Sequence, residues 1–409
     1  MKPRAASALA VLGVGGVLWA ASEVLRAPAP RAEARWWRGN LHTHSLWSDG
    51  DQFPEMIFEW YRSHEYDFLA LSDHNVLQDG ERWIDVSEKP ERMEAYRSYL
   101  ERFGPSGVDR KEEDGRVLVR LKTLGEIRDL FEEPGRFLVV PSEEITDKHG
   151  DKPVHVNATN LAERIAPQGG GSVREVMQRN VDAVLEQRAR TGRPMFPHVN
   201  HPNFGWAVTP EDLAALRGEK FFEIYNGHPL VHNEGDAEHP SVERMWDLVL
   251  AERRRAGREV LYGLAVDDAH DYHAFDSKKS NPGRGWVMVR AAELTPAAIV
   301  VAMEAGEFYA TTGVVLEDVR SGSNRIEIRI RPERGVTYAT EFRGTREDAG
   351  ADPERIGEVL ATVEGTSPRY RLRGDELYVR AKVVSSKPKA NPYRAGETEV
   401  AWTQPVVPE

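Results

Sequence analysis

Short apolar runs alternate with helix-period segments along the first three quarters of the chain. Apolar runs of about four to eight residues predict strands, and apolar residues that recur every three or four positions predict helices. The predicted strands are Trp37–Leu41, Phe68–Leu71, Phe137–Val140, Val154–Ala158, Met195–Val199, Phe221–Tyr225 and Val260–Val266. The predicted helices are Pro54–Tyr66, Ser172–Thr191 and Ser241–Ala256. This alternation indicates βαβ units and a mostly parallel sheet, with active residues at the carboxyl ends of the strands.

The pattern changes after about Gly313. Apolar and polar residues alternate from Arg325 to Arg331 and again from Leu377 to Val383, and Glu399–Val407 is a further strand candidate. Such alternation is typical of half-buried strands, and helical periodicity is hard to find here. We therefore expect a small all-β domain over residues 313–409.

The chain begins with the pattern of an export signal. Lys2 and Arg4 precede an uncharged, mostly apolar run from Ala5 to Ala21, and a Pro/Ala-rich stretch follows. A run of this length suits a signal peptide or an uncleaved anchor. We expect residues 1–22 to be that segment and residues 23–35 to be a linker. The protein would then be periplasmic, secreted or membrane-anchored, touching the membrane only through an uncleaved N-terminal segment.

Composition and charge narrow the chemistry. The net charge of −12 argues against a broad basic surface for nucleic acid. The absence of cysteine excludes disulfides, cysteine zinc sites and thiol nucleophiles. The chain contains no Gly-x-Ser-x-Gly elbow, P-loop or dinucleotide fingerprint. All thirteen histidines lie between His42 and His273, so we expect a histidine-based site in that region. The expected partner of that site is a small-molecule substrate.

Six groups of histidines and carboxylates stand at the ends of predicted strands. They are His42-Thr43-His44 with Asp49, Ser72-Asp73-His74, Glu143-Glu144, His155, His198 with His201, and Asp267-Asp268-Ala269-His270. Each group is a weak signal alone, but a parallel barrel would gather all of them at one rim. Imidazoles and carboxylates without thiolates suit Zn, Mn or Fe better than Mg or Ca. The sequence therefore predicts a metal centre.

The order of these motifs resembles the PHP (polymerase and histidinol phosphatase) superfamily. The order is His-x-His, Ser-Asp-Gly, Ser-Asp-His, Glu, His, His-Pro and Asp-x-His. Trp47-Ser48-Asp49-Gly50, the segment Val154–Asn160 and the β-rich tail are similar to the secreted carbaryl-hydrolase-like branch of metallohydrolases. The resemblance implies a distorted (β/α)7 barrel over residues 36–312, followed by the all-β accessory domain, and two or three divalent metal ions.

The resemblance also implies which residues bind the ions. The first ion would be held by His42, His44, Glu144 and Asp268. Glu144 would also bind the second ion, together with His155 and His201. Asp49, His74 and His270 would hold the third ion. His198 and Asp73 would lie behind the ligands. Two alternatives stay open, because Glu143 could replace Glu144 and His198 could replace His201.

The expected activity follows from the ions. A hydroxide that bridges two of them is a strong nucleophile at neutral pH, because metals lower the pKa of bound water. This predicts a metal-dependent phosphoesterase. The alternative is a carboxyl-ester, carbamate or amide hydrolase on the same metals. A binding module that has lost its metals is disfavoured, since all nine expected ligand positions are filled.

Overall fold

The computed structural model describes Met1, residues 34–350 and residues 352–408. Ala34–Glu409 forms one compact unit, and the fold below is that of its described residues. The predicted targeting segment, Met1 apart, and most of the predicted linker lie outside the described residues. No described helix combines the length and the apolar character that crossing a membrane requires.

Seven α-helices and nineteen strands are found in the described residues. The helices are α1 (Pro54–Ser63), α2 (Pro90–Phe103), α3 (Leu124–Phe131), α4 (Val173–Thr191), α5 (Pro210–Ala215), α6 (Val242–Arg255) and α7 (Pro296–Glu304). The strands of the N-terminal part are β1 (Arg35–Asn40), β2 (Phe68–Leu71), β3 (Trp83–Asp85), β4 (Arg110–Glu113), β5 (Arg116–Arg120), β6 (Leu138–His149), β7 (Lys152–Thr159), β8 (Phe196–Val199), β9 (Phe221–Asn226), β10 (Tyr262–Val266), β11 (Trp286–Ala291) and β12 (Phe308–Thr311). Those of the tail are β13 (Leu316–Gly322), β14 (Arg325–Ile330), β15 (Tyr338–Arg346), β16 (Glu358–Glu364), β17 (Arg369–Arg371), β18 (Glu376–Pro388) and β19 (Thr398–Thr403).

Side-chain caps fix where the long helices begin. The Ser172 hydroxyl accepts a hydrogen bond from the backbone N–H of Glu175, and Ser241 does the same for Arg244. A serine at this position satisfies one of the backbone donors that a helix start leaves unpaired. The predicted helices at these places agree with α4 and α6 to within one residue at each end.

One thirteen-stranded sheet carries the site. Its order is β10-β9-β8-β7-β6-β2-β1-β11-β12-β19-β18-β15-β16. Parallel pairing is found in two runs, β1-β2-β6 and β8-β9-β10, and β7 lies antiparallel between them. The short strands β3, β5 and β4 form a separate sheet. The protein is thus a mixed α/β fold.

The sequence predicted a strand that ends at Val140, but strand β6 continues to His149. It pairs with β2 through Pro141 and then with β7 from Ser142 onward. Pro141 looks like a terminator in the sequence, but it stands where the strand changes partner, and a missing N–H is tolerated there. Glu143, Glu144 and His155 therefore lie inside strands and not after strand ends, which corrects the predicted placement.

Residues that follow β1 and β10 meet beyond the ends of these strands. The backbone N–H of His44 donates to Ala269 O at 2.9 Å, and that of Asp268 donates to His42 O at 2.9 Å. In the strand order β10 is terminal, so the predicted closed barrel is not confirmed. The contact nevertheless brings the His42-Thr43-His44 segment against Asp268, which is what the site requires.

The tail strands continue the main sheet. β19 pairs with β12, and β18, β15 and β16 follow outward, while β13, β14 and β17 form a second sheet. Buried apolar side chains of the two sheets, among them Leu316, Ile328, Phe342 and Val383, share one core. A separate all-β accessory domain is not confirmed, and the boundary at residue 313 stays a prediction.

Candidate metal centre

The nine side chains predicted as ligands lie in one connected cluster. Each has a ring nitrogen or carboxylate oxygen within 3.4 Å of a ligand atom of another member. They come from the segments after β1, β2, β8 and β10 and from the interiors of β6 and β7. Within the described residues, no tail side chain belongs to a group of possible metal ligands.

Four atoms form the first group. His42 Nε2 lies 3.1 Å from His44 Nε2, 3.4 Å from Glu144 Oε2 and 3.3 Å from Asp268 Oδ1. His44 Nε2 lies 3.3 Å and 3.2 Å from the same two oxygens. Atoms bound tetrahedrally at a zinc-like distance are about 3.3–3.4 Å apart. The spacing of His42, His44 and Asp268 therefore fits one ion between them, with Glu144 Oε2 beside the two ring nitrogens.

The hydrogen bonding of His42 determines which ring nitrogen faces this group. Its Nδ1 lies 2.6 Å from Glu223 Oε1, a carboxylate that can only accept, so Nδ1 carries the proton. Nε2 then presents a lone pair toward two carboxylate oxygens. Glu144 Oε2 is buried and has no aligned hydrogen bond from any described residue, although three ring nitrogens approach it within 3.4 Å. Converging lone pairs of this kind repel one another unless a proton or a metal ion lies between them.

Glu144 extends toward a second group. Its side chain is fully buried, and while Oε2 faces His42 and His44, Oε1 lies 2.8 Å from His155 Nδ1 and 3.4 Å from His201 Nε2. The Asn200 amide donates to Oε1 at 2.8 Å and fixes the carboxylate plane. The two oxygens of Glu144 thus face two different sets of imidazoles, which is the arrangement that a bridging ligand requires.

The third group is the most accessible. The Asp49 carboxylate lies 3.4 Å from both His74 Nε2 and His270 Nε2, and its side chain is 56% exposed. The His270 ring stacks on His44 with 4.1 Å between centroids, which joins this group to the first. An ion held here would face solvent, and substrate can approach from this side.

The charges of the cluster make it attractive to cations. Burial would raise the pKa of Glu144 and of Asp268, but the surrounding imidazoles hold the pKa of both carboxyls well below the usual range. Burial lowers the pKa of His44 to about 3, helped by the charges of His270 and His74, so this ring is neutral. A neutral imidazole beside ionised carboxylates is the form that binds a metal.

Asp73 holds the loop that carries His44 and Asp49. Its carboxylate accepts from the Ser45 backbone and hydroxyl at 2.8 Å each, from Ser48 Oγ at 2.6 Å and from Gln78 Nε2 at 2.8 Å. It touches no ligand atom, so it acts through the loop backbone. Asp73 thus lies behind the loop that carries two of the predicted ligands, and its role there stays a prediction.

The two pairs that the sequence left open differ in their contacts. Glu143 points away from the cluster, and its carboxylate accepts from the backbone N–H of Ile165. His198 Nε2 lies 3.3 Å from Glu223 Oε1, and His198 forms a separate group of possible metal ligands with Glu223 and His42. Glu144 and His201 are the members of each pair that contact the cluster.

Glu223 is the residue that the sequence analysis missed. It is fully buried on β9 and contacts the rings of His42 and His198, the backbone N–H of His201 at 2.7 Å and the Asn226 amide at 2.8 Å. Asn226 in turn donates to Asp268 Oδ2 at 3.0 Å. The available signal was a single carboxylate inside the apolar run Phe221–Tyr225, since a buried strand admits such a residue only with partners.

Comparison with known proteins gives little sequence support. No protein-family model and no curated protein matches the chain. A two-domain protein from Bacteroides vulgatus containing a predicted PHP-like metal-dependent phosphoesterase aligns at 15% identity and a TM-score of 0.41, over 92% of this chain and 97% of that one. A proposed metal-dependent phosphoesterase from Bifidobacterium adolescentis aligns at 13% identity and 0.29, over 58% and 89%. At such TM-scores the likenesses carry no argument, and the function has to be inferred from the site.

Proposed function

We propose that the protein is a PHP-type metal-dependent hydrolase that cleaves a phosphate ester. Its centre would hold two or three divalent ions, of zinc, manganese or iron. The observation that carries the proposal is the convergence of His42 Nε2, His44 Nε2 and Asp268 Oδ1 at 3.1–3.3 Å from one another, with Glu144 Oε2 within 3.4 Å of both ring nitrogens. A bound cation would stabilise imidazole lone pairs and carboxylate oxygens that are gathered in a buried space.

The residues of the metal centre would have different roles. Glu144 would connect the first two ions, Glu223 and Asn226 keep His42 and Asp268 oriented, and Asp49 opens the third position toward substrate. Divalent ions bound there would lower the pKa of a water molecule and stabilise the negative charge of the reacting group. Three adjacent positions suit a phosphate, whose several charged oxygens can each meet a cation. A carbonyl ester presents only one such oxygen, so the phosphate ester is favoured.

The test is a hydrolase screen on full-length protein purified without chelator. Metal content is measured first, and the protein is then supplied with zinc, manganese or iron. The substrates are p-nitrophenyl phosphate, bis(p-nitrophenyl) phosphate, p-nitrophenyl acetate and 1-naphthyl methylcarbamate. We expect bound metal and metal-dependent release from a phosphate substrate. Turnover confined to the acetate or the carbamate would favour the alternative hydrolase, and a metal-free, inactive protein would contradict the proposal.

Export is a separate part of the proposal and rests on the sequence of residues 1–22 alone. A fusion of the full chain to a reporter that works only outside the cytoplasm tests it, with a fusion starting at Ala34 as the matched control. We expect reporter activity from the first fusion and none from the second. Equal activity of the two would refute it.

A further inference from the structure

His228 lies beside the metal centre but is not one of the nine predicted ligands. Its ring centroid is 5.5 Å from that of His270, and the two rings meet edge to face. The backbone N–H of His228 donates to Asn226 Oδ1 at 2.8 Å, and Asn226 Nδ2 donates to Asp268 Oδ2 at 3.0 Å. His228 is therefore held against predicted ligands of both the first and the third group.

The short turn after β9 determines which nitrogen of the His228 ring carries the proton. Pro229 has no N–H, so Leu230 supplies the next backbone donor. That N–H donates to His228 Nδ1 at 3.2 Å, and the backbone N–H of Val231 donates to His228 O at 3.4 Å. Because a backbone N–H can only donate, Nδ1 holds the lone pair and the proton lies on Nε2. A protonated nitrogen does not bind a metal, so His228 is a hydrogen-bond donor here and not a tenth ligand.

The Nε2–H group of His228 is open to solvent. Nδ1 is the only ring nitrogen of His228 that has a hydrogen-bond partner among the described residues. Nε2 is not one of the buried polar atoms that lack a partner, and the side chain as a whole is half-buried. A substrate group can therefore reach this donor without any rearrangement of the ring.

The cluster offers few other donors to an anionic substrate. Within the described residues, every ion pair of Asp49, Glu144 and Asp268 is with an imidazole, and none is with an arginine or a lysine. Arginine is the residue that proteins commonly use to bind phosphate oxygens. An N–H group beside a centre of cations suits an oxygen that carries negative charge, because a hydrogen bond to a charged acceptor is stronger than one to a neutral acceptor.

We propose that His228 is a substrate-binding residue whose Nε2–H donates to an oxygen of the substrate's phosphoryl group. The inference rests on the proposed phosphoesterase function and adds a contact that the predicted ligands do not supply. The turn Pro229-Leu230 then has a role of its own, since it keeps the donor on the nitrogen that faces solvent.

The experiment compares two variants of the full-length, metal-loaded protein. His228→Phe keeps a ring beside His270 but removes the donor, whereas His228→Gln places an amide N–H close to the position of Nε2. Metal content is measured first, and titration calorimetry then measures the affinity for inorganic phosphate. We expect unchanged metal content in both variants. Phosphate binding and kcat/KM for p-nitrophenyl phosphate should fall about 10–100-fold in His228→Phe, the usual effect of losing a hydrogen bond to a charged group, and should largely recover in His228→Gln.

His64→Phe is the matched control, because the His64 ring also packs against an aromatic ring, that of Trp60, but is exposed at the end of α1. It should bind phosphate as the wild type does, and thermal unfolding shows whether each variant is folded. Loss of metal from His228→Phe would make His228 a ligand and overturn the inference, as would equal phosphate affinity of His228→Phe and the wild type. An equal loss of affinity in His228→Phe and His228→Gln would assign the effect to ring packing and overturn it too. A metal-loaded wild type that binds no phosphate would contradict the proposed function itself.

Discussion

The Glu223 carboxylate lies 2.6 Å from His42 Nδ1 and 2.7 Å from the backbone nitrogen of His201, and both distances are to oxygens that can only accept. The buried Glu223 side chain thus orients the His42 ring in the first group of ligands. It also orients the backbone of His201, whose ring faces the second group. Because each contact needs an acceptor, the site tolerates a carboxylate here and not an amide.

Glu223→Gln should lower metal affinity and hydrolytic rate about 10–100-fold, the usual effect of removing a partner behind a metal ligand. The amide nitrogen would face a donor, which turns the His42 ring away from the ligand geometry. Titration of the metal-free variant with zinc or manganese measures the affinity. Glu219→Gln is the matched control, since Glu219 is buried four residues earlier and contacts no cluster residue. Equal metal affinity of both variants would contradict the role of Glu223.

Glu144→Gln should remove most of the activity and the second ion, because its two carboxylate oxygens face the two groups. His42→Ala should empty the first position. Metal analysis and hydrolytic rate on the same preparations measure both effects. Glu143→Gln is the control on the same strand and should retain metal and turnover. Full metal content with unchanged turnover in both Glu144→Gln and His42→Ala would mean that the centre lies elsewhere.

His74→Ala should release the third ion and leave the first two partly bound. His74 Nε2 contacts Asp49, the most exposed of the nine side chains, so this position is the least enclosed. His198→Ala is the comparison, because His198 contacts Glu223 and no predicted ligand side chain in the second or third group. We expect a smaller loss of metal from it than from His201→Ala. The reverse order would assign His198 to the second ion.

The sequence allowed the positions of most site residues to be predicted, but not how they reach the site. His42, His74 and Asp268 follow short apolar strands, and the polar residue after a parallel strand lies at the sheet edge whatever the rest of the fold does. Glu144 and His155 come from an antiparallel hairpin instead. Apolar alternation is the same in a parallel strand and an antiparallel one, so the change of partner at Pro141 left no trace in the pattern.

Long-range hydrogen bonds explain what was missed. Glu223 was hidden because its partners His42 and His198 are 181 and 25 residues away. The pairing of β19 with β12 could not be predicted either, because the sequence of a strand does not show which strand lies beside it. The pattern of apolar residues indicated two different segments, one before and one after about Gly313. Only the pairing of the strands in the fold shows that strands of both segments belong to one sheet.

Arg380→Met should destabilise the protein by about 3–5 kcal/mol, because it leaves a buried carboxylate without its partner. Arg380 is fully buried on β18, and its guanidinium donates to both oxygens of Asp247 on α6, at 2.8 and 2.7 Å. Urea unfolding measures the loss. Arg320→Ala removes an exposed pair with Asp318 and should cost less than about 1 kcal/mol. Equal midpoints for the two variants would show that the contact between α6 and β18 does not stabilise the fold.

Glu219 should make the stability of the protein fall as pH rises from about 4.5 to about 8. Burial raises the pKa of this carboxyl from 4.5 to about 8, and the backbone N–H groups of Phe221 and Lys220 only partly offset it. Between these values the folded state holds a proton that the unfolded state has lost. Unfolding in this window therefore releases a proton, so the free energy of unfolding decreases as pH rises, with a slope of at most about 1.4 kcal/mol per pH unit.

Glu219→Gln isolates this effect, because a neutral amide of the same shape cannot titrate. Near pH 4.5 the variant and the wild type should have similar free energies of unfolding, since the wild-type carboxyl is protonated in the folded protein. Toward pH 8 the wild type should become less stable relative to the variant, because unfolding of the wild type releases a proton and rising pH favours that release. Urea unfolding at half-unit intervals of pH gives the difference directly. A difference that stays constant across this window would mean that the Glu219 carboxyl is already ionised in the folded protein at low pH, and that its burial does not control its charge.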